Sequence, residues 1–176
     1  MLTDAISQFV SGPISPIPLV EDPFETLETW LEDARARGQY AEPTAMCLAT
    51  ATPDGRPSVR IVLCKDFDRA ECSLTFFTNY ESRKGRELAE NPHAAAVFYW
   101  PHAERQARVA GFVERLPDAQ SDAYFKTRPL LSQIGAVVSP QSRVIHGRSG
   151  LLTAAARLLA TSRVDRGISR PAHWGG

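Results

Sequence analysis

The sequence predicts a mainly β fold with peripheral helices, in which short antiparallel strands form a closed or partly closed barrel. Three observations lead to this prediction. Several apolar runs rich in β-branched residues are separated by tight turns. The regular strand–helix alternation of a parallel α/β sheet is absent. With 176 residues and 43% hydrophobic content, the chain can bury the core of one domain, and closing the sheet would remove exposed strand edges.

The first part of the chain is predicted to be an arm followed by a helix. Residues 1–22 contain the Pro-spaced run from Gly12 to Pro18, which cannot form a regular hydrogen-bond ladder and is expected to lie over a surface. Residues 23–176 are predicted to form a single domain. Its first helix runs from Pro23 to Arg37, where apolar residues recur every three or four positions, and Gly38 is a plausible stop.

Strands follow the first helix. Ala45–Thr50 and Ser58–Lys65 flank the turn residues Pro53-Asp54-Gly55, which predicts a hairpin. The later predicted strands are Ser73–Thr78, His93–Trp100 and Arg105–Leu116. Gly111 lies inside the last of these and suggests a bulge or a sharp bend.

Three helices are predicted among and after these strands. Ser82 can cap a helix that runs to about Glu90 and stops at Asn91-Pro92. A second opens at Asp118 and ends before Pro129, and the Ala/Leu-rich segment from Ser149 to Thr161 forms a third.

The charge balance excludes partners that need a strong global field. Lys and Arg total 20 and Asp and Glu total 20, so neither nucleic acid nor a membrane surface is an expected partner and any anion site must be local. The three cysteines lack metal-ligand spacing and suit a reducing compartment. Without a leader pattern or a long apolar run, a cytoplasmic location is expected.

Common catalytic motifs are missing from the sequence. The four histidines are scattered without HExxH or CxxC spacing, so no metal site is expected. GxGxxG after a strand, the GxSxG elbow and the Walker motif are also absent. No catalytic residue can be identified, which suggests that a cofactor carries the chemistry.

The segment from Thr78 to Lys84 is the most informative candidate site. A predicted strand ends there, and a helix begins with Arg83 and Lys84 in its first turn. Each cation costs about 0.3–1 kcal/mol beside the positive helix N-terminus unless an anion is present. With the Ser82 hydroxyl and free backbone N–H groups, they could cradle a phosphate. The alternative is two solvated cations that tolerate the position.

A second group of cations lies along an apolar strand. Arg60 is inside the strand and Lys65 is at its end, although buried strands rarely keep unpaired cations. Period-two alternation puts the two on opposite faces, so one ligand reaches both only across a bulge or from different ends. The alternative is an edge strand whose charges point to water.

A second phosphate could bind after Pro117. Tyr124 and Arg128 are four residues apart on one helix face, and Ser132 follows. The alternative is an ordinary exposed helix face. Gln106, Gln141 and Ser142 offer uncharged donors and acceptors that could recognise a polar aromatic ring.

Five groups of residues carry a family resemblance. In chain order they are Arg60-Ile61-Val62-Leu63-Cys64-Lys65, Phe76-Phe77-Thr78-Asn79 with Ser82-Arg83-Lys84, Glu104-Arg105-Gln106, Tyr124 to Arg128-Pro129, and Ser132-Gln133-Ile134-Gly135-Ala136 with Ser139-Pro140-Gln141-Ser142. Their order and spacing resemble the pyridoxamine 5'-phosphate oxidase family from about Pro23 to Gly176. The resemblance implies a split β-barrel of the FMN-binding type and a homodimer with FMN at the subunit interface. It also implies oxidation of pyridoxamine or pyridoxine 5'-phosphate to pyridoxal 5'-phosphate, with oxygen leaving as hydrogen peroxide.

The resemblance also assigns site residues. Those implied to bind FMN are Arg60, Ile61, Val62, Leu63, Lys65, Phe77, Thr78, Ser82, Arg83, Lys84, Gln106, Gln141 and Ser142, with Phe77 standing where tyrosine is common. Those implied to bind the substrate phosphate are Lys65, Tyr124, Arg128 and Ser132.

One departure from the family leaves alternatives open. The family continues past a motif like Trp174-Gly175-Gly176 with strands that carry an Arg-x-His pair, a Trp and an Arg, and these residues have no counterpart in this chain. One alternative is therefore a non-catalytic module that binds FMN or pyridoxal 5'-phosphate. Another is a related flavin oxidase of the phenazine-biosynthesis type, although Lys65, Tyr124, Arg128 and Ser132 favour a phosphorylated pyridine.

Overall fold

The computed structural model describes residues 22–145, 147–161 and 167–176. The helices are α1 (Pro23–Ala36), α2 (Arg83–Glu90), α3 (Asp118–Thr127), α4 (Leu130–Val138) and α5 (Arg148–Thr161), with a 3-10 turn at Pro101–Ala103. The strands are β1 (Ala45–Ala51), β2 (Pro57–Leu63), β3 (Asp66–Asp68), β4 (Ser73–Thr75), β5 (Thr78–Asn79), β6 (His93–Trp100), β7 (Arg105–Phe112) and β8 (Trp174–Gly175). Antiparallel sheet with surrounding helices confirms the predicted mainly β class.

The central sheet has four antiparallel strands in the order β2-β1-β6-β7. Two small ladders, β3-β4 and β5-β8, accompany it. Within the described ranges no pairing joins β2 to β7, so the four strands form an open sheet rather than a closed barrel. β2 and β7 are consequently the two edges of this sheet, which decides where their polar side chains can reach.

The inner face of the sheet packs on α1 to form the larger core. Met46 and Leu48 of β1 alternate with less buried neighbours and pack with Leu31, Phe98 and Trp100. Each large side chain contributes about 1.5–3 kcal/mol by leaving water. Period-two alternation places Arg60 on this same inner face, because Arg60 is paired with Leu48.

The outer face of the sheet is apolar and exposed. Val59 and Ile61 of β2 are 65% and 63% exposed, and Tyr99 and Phe112 near the other edge are 66% and 68% exposed. Gln106 lies opposite Tyr99 and therefore shares this outer face.

A smaller core holds the final described residues against α3 and α4. Phe125, Ile134, Ile168 and Trp174 are buried together. β8 pairs with β5, and Arg170 donates hydrogen bonds to Asp118 and Asp122 at 2.6 Å and 2.5 Å. These contacts bring Trp174 beside the helices that follow Pro117.

The structure corrects two local predictions and adds one helix. Gly111 makes no bulge, since it pairs with Ala94 in a register that continues unbroken along β6 and β7. The predicted strand Ser73–Thr78 is interrupted after Thr75 and resumes as β5, where it changes partner from β3 to β8. The helix α4 was not predicted; Pro129 directly precedes it.

The predicted N-terminal arm lies, apart from Asp22, outside the described residues, and the division into an arm and a single domain stays a prediction. Asp22 caps α1 by accepting a hydrogen bond from the Phe24 N–H at 2.8 Å. Among the described residues, no helix combines the length and the apolar composition required to cross a bilayer.

Candidate functional site

A cleft of about 1120 Å³ lies between β2, the start of α2, helices α3 and α4, and the loop after α4. It collects most of the residues that the sequence marked as candidates. Those that line it are Arg60, Ile61, Val62, Leu63, Lys65, Phe77, Thr78, Arg83, Lys84, Tyr124, Arg128, Ser132, Gln141 and Ser142. Ser82 and Gln106 are the two candidates that do not line it.

Ser82 lies directly behind the cleft as the N-cap of α2. Its Oγ accepts hydrogen bonds from the Gly85 N–H at 3.3 Å and from Lys84 Nζ at 3.2 Å. The side chain is fully buried. The predicted cap is therefore confirmed, and Ser82 reaches the cleft through Lys84.

Lys84 is a buried cation at the start of α2. Its Nζ donates to Gln141 Oε1 at 2.8 Å, which joins α2 to the loop after α4. Desolvation, together with the charge of Arg60, lowers the pKa of Lys84 to about 8. An anion placed here would restore the electrostatic stabilisation that this ammonium group lost on leaving water.

Glu87 is a buried acid on α2, behind the cleft-lining residues Arg83 and Lys84, which with Arg60 form the first cationic wall of the cleft. The sequence did not identify it as a site residue. Its carboxylate accepts hydrogen bonds from Thr50 Oγ1, from Ser58 Oγ at 2.5 Å and from Arg83 Nε at 2.8 Å, and it pairs with Arg60 at 3.3 Å. Burial alone would raise the pKa of Glu87, but hydrogen bonds from Ser58, Thr50 and Arg83 outweigh that effect and lower it to about 2. Its spacing of four residues from Arg83 was the available signal.

Arg60 points inward and is only 19% exposed. Its Nη1 donates to Leu48 O at 3.0 Å and Thr50 Oγ1 at 2.8 Å, and its Nη2 donates to Ser58 Oγ and Glu87. The alternative in which this strand's charges point to water is therefore wrong for Arg60.

Lys65 lies past the end of β2, in an exposed position where its backbone N–H donates to Thr75 O at 2.8 Å. Strand alternation stops at Leu63 and does not govern Lys65. Residues Ser58 to Leu63 all line the cleft as well, so both faces of this edge strand contribute, and Arg60 and Lys65 share one cleft although strict alternation would separate them.

Arg128 and its neighbours form the second cationic wall of the cleft. Arg128 lies at the junction of α3 and α4, with its guanidinium carbon 4.5 Å from the centre of the Trp174 ring. Its Nη1 is buried and has no hydrogen-bond partner among the described residues. Desolvation lowers the pKa of Arg128, with a small opposing effect of Tyr124. An unpartnered buried donor on a cation is the feature expected where an anion binds.

Aromatic rings lie between the two cationic walls. Phe77 stacks on Tyr124 with ring centres 3.8 Å apart and on Trp174 at 5.4 Å. Half-buried Ser132 follows in the first turn of α4. Trp174, like Glu42, lines the cleft without having been predicted, since only tertiary packing brings the β8 segment to α3.

Gln106 is not brought to this cleft within one chain. It lies on β7, at the opposite edge of the sheet from β2, and on the outer face. Gln141 and Ser142 do line the cleft, and Ser142 adopts a left-handed backbone with φ of 66°.

The side chains that line the cleft are suited to bind a ligand, and the described residues show no nucleophile paired with a general base. Burial raises the pKa of the Cys64 thiol to about 11, so this group is not a ready nucleophile. Among the described residues, no cluster of three or more His, Cys, Asp or Glu side chains could hold a metal ion. The desolvated Lys84 and the unpartnered Nη1 of Arg128 make the cleft suited to bind anionic groups.

Comparison with known sequences finds one family and close relatives. The sequence model of the family described as "Pyridoxamine 5'-phosphate oxidase" matches residues 33–162. A pyridoxine/pyridoxamine 5'-phosphate oxidase of Nostoc punctiforme is 52% identical over 155 residues, covering 88% of this chain and 71% of the relative. The enzyme of the same name from Trichormus variabilis is 45% identical over 175 residues, covering 99% and 80%.

Solved structures agree with this fold. PhzG from Burkholderia lata 383, in complex with tetrahydrophenazine-1-carboxylic acid, superposes with a TM-score of 0.81 at 31% identity, covering 90% of this chain and 75% of PhzG. A pyridoxamine 5'-phosphate oxidase-related, FMN-binding protein of Nostoc punctiforme superposes with a TM-score of 0.62 at 20% identity, covering 76% and 73%. These similarities confirm the predicted split-barrel fold class.

Proposed function

The chain belongs to the pyridoxamine 5'-phosphate oxidase family, and on that premise we propose that it is an FMN-dependent oxidase of pyridoxamine or pyridoxine 5'-phosphate. Oxygen is the electron acceptor in this proposal, and pyridoxal 5'-phosphate and hydrogen peroxide are the products. The amine substrate also consumes water and releases its nitrogen as ammonia. One observation carries the proposal: a single cleft has separate cationic walls, one at the start of α2 and one at the α3–α4 junction. Two walls suit two phosphate-bearing molecules.

The residues fit FMN on physical grounds. Lys84 is a desolvated cation beside a helix N-terminus, which is a favourable place for a phosphate. A cleft of about 1120 Å³ has room for a cofactor and a substrate together. Arg83 and Lys84 would hold the FMN phosphate, and Ser82 would act through Lys84. Arg60 to Leu63 with Phe77 and Thr78 would line the flavin, and Gln141 and Ser142 would contact its polar atoms.

The substrate phosphate belongs to the second wall. Arg128 has a buried donor free for an oxyanion, and Tyr124, Ser132 and Lys65 line the same cleft. When bound, FMN supplies the chemistry by accepting a hydride equivalent. The chain's own residues then bind the phosphate far from the reacting carbon and orient the pyridine ring against the cofactor.

The test is an oxidation assay with the purified chain. We expect pyridoxamine 5'-phosphate to be converted to pyridoxal 5'-phosphate with release of an equal amount of hydrogen peroxide. Unphosphorylated pyridoxamine, as the matched control, should react far more slowly because it cannot use Arg128. A yellow protein without turnover would instead favour the non-catalytic flavin-binding module.

The similarity to PhzG favours a second candidate, a flavin oxidase acting on phenazine precursors. The unpartnered Arg128 could bind a carboxylate as well as a phosphate. Turnover of tetrahydrophenazine-1-carboxylic acid, with none of pyridoxamine 5'-phosphate, would select this candidate. Lys65, Tyr124 and Ser132 around Arg128 favour the phosphorylated pyridine.

A homodimer is part of the proposal. The outer face of the sheet carries several exposed apolar side chains, including Val59, Ile61 and Tyr99, and an exposed apolar face is typical of a protein–protein contact. Gln106 shares that face, so dimer formation across it gives Gln106 a route to the partner's cleft. We also propose a cytoplasmic location, which three free cysteines support.

A further inference from the structure

The carboxylate of Glu87 connects both strands and the helix that form the first cationic wall. One oxygen, Oε2, accepts from Thr50 on β1 and from Ser58 and Arg60 on β2. The other oxygen, Oε1, accepts from Arg83 at the start of α2. The side chain is 4% exposed, so this acid was taken out of water to make these contacts.

Arg83 is held by Glu87 at one position only. Its Nε donates to Glu87 Oε1 at 2.8 Å, and among the described residues its two terminal nitrogens have no hydrogen-bond partner. A guanidinium is a rigid planar fork, so fixing Nε fixes the direction of the terminal pair. The side chain is 59% exposed and lines the cleft, which leaves this pair available to a ligand.

The charge of the wall is also set by Glu87. Arg60, Arg83 and Lys84 would carry three like charges on adjacent elements, and Glu87 reduces their sum to two. A phosphate monoester carries about −1.5 to −2 at pH 7, so the positive charge that remains on the wall still attracts it. Riboflavin has the same ring without the phosphate and would gain nothing from the positive charge of the wall.

From these contacts we propose that Glu87 is a positioning residue, which aims Arg83 at the FMN phosphate and thereby makes the cleft prefer FMN over riboflavin. The inference rests on the proposed FMN site. Glu87 itself does not line the cleft, and it acts through Arg83. It is not a competitor for the phosphate, because it occupies Nε and leaves the terminal nitrogens free.

The experiment compares flavin affinities in the full-length chain after flavin removal, using quenching of flavin fluorescence. In Glu87→Gln we expect the dissociation constant for FMN to rise about tenfold, the loss of one charge-assisted hydrogen bond, while that for riboflavin changes less than about twofold. Glu90→Gln is the matched control, because Glu90 is exposed on the same helix, and it should leave both constants unchanged. In an Arg83→Ala background, Glu87→Gln should no longer alter the preference.

Two results would overturn the inference: equal weakening of FMN and riboflavin, which indicates a purely structural role, or tighter FMN binding, which makes Glu87 a competitor. If Glu87→Gln does not fold, the variant Arg83→Lys tests the inference instead. Lysine keeps the positive charge, but it has no rigid guanidinium that could bind Glu87 through one nitrogen and the phosphate through the others. We expect Arg83→Lys to lose most of the preference for FMN, and full retention would contradict the inference. A wild-type chain that binds neither flavin would instead refute the proposed function.

Discussion

At the residue scale, the ionisable groups of the cleft owe their properties to burial and to their neighbours. Lys84 is desolvated beside Arg60, which lowers its pKa to about 8, whereas Glu87 is kept ionised by its donors. Arg128 keeps a buried donor without a partner among the described residues. The first wall therefore carries a charge that changes just above neutral pH, and the second wall carries one that does not titrate in that range.

Lys84 predicts a pH dependence of FMN binding. A phosphate favours the charged lysine, so the affinity should be nearly constant around pH 7 and should fall as the pH rises through about 8 and Lys84 loses its proton. Fluorescence titrations of FMN between roughly pH 7 and 9.5 measure this. Lys84→Arg keeps its charge throughout that range and should remove the dependence, whereas an unchanged wild-type affinity at the upper end would exclude Lys84 from the site.

Arg128→Ala should affect the substrate and leave the cofactor in place. Losing a buried charge-assisted contact should raise the Michaelis constant for pyridoxamine 5'-phosphate about tenfold or more, with flavin content unchanged. Lys126→Ala is the matched control, because Lys126 is exposed on α3 and does not line the cleft. Steady-state kinetics and extracted flavin give both quantities. Loss of flavin in Arg128→Ala would mean that the two anion sites are interchanged.

At the element scale, the turn from β5 into α2 places the first wall. Gly85 is buried there, and a Cβ added to it would lie 2.1 Å from the backbone oxygen of Tyr80. Because that contact is with backbone, the start of α2 could not accept a side chain without moving. Ser82, Lys84 and Arg83 would move with it.

Gly85→Ala should therefore lower the free energy of unfolding by about 1–3 kcal/mol, the usual cost of overpacking, and should weaken FMN binding. Gly150→Ala on α5 is the control, since a Cβ there meets no atom within 4 Å. Alanine's higher helix propensity should leave its stability equal or slightly higher. Urea unfolding measures both, and a Gly85→Ala chain as stable as the wild type would show that the turn tolerates a side chain.

Local signals explain which elements could be predicted. The Ser82 cap, the predicted helix start at Asp118 and the stop at Asn91-Pro92 gave helix bounds that agree with the structure. β8 could not be predicted, because two residues become a strand only by pairing with β5. Glu87 was missed for a related reason: its sequence neighbours do not reveal that its helix face packs on Thr50 and Ser58.

At the scale of the whole molecule, the sheet has two apolar faces, and within the described residues α1 covers the inner one and leaves the outer one exposed. The sequence predicted a strand interior at Tyr99 and a ring-binding residue at Gln106, but it could not tell which face either residue takes. The register of β6 and β7 puts both on the uncovered face. Gln106 consequently lies on the edge strand β7, whereas the cleft of its own chain lies at the opposite edge strand, β2.

The uncovered face predicts a dimer in solution. Light scattering should give twice the 19.4 kDa mass of the chain. Tyr99→Lys places a charge in that face and should shift the molecule toward monomer with reduced flavin content. Leu152→Lys on α5 is the control, since Leu152 is also an exposed apolar residue, and it should remain dimeric. A monomeric wild type, or a Tyr99→Lys dimer of undiminished mass, would contradict this prediction.

The proposed function depends on FMN binding in the cleft against the first cationic wall. The most direct measurement is the visible absorption spectrum of the purified full-length chain, before and after addition of FMN, with the bound flavin then extracted and counted. We predict the bands of an oxidised, protein-bound flavin and one FMN per chain at saturation. A folded chain that stays colourless and binds no added FMN would contradict the account.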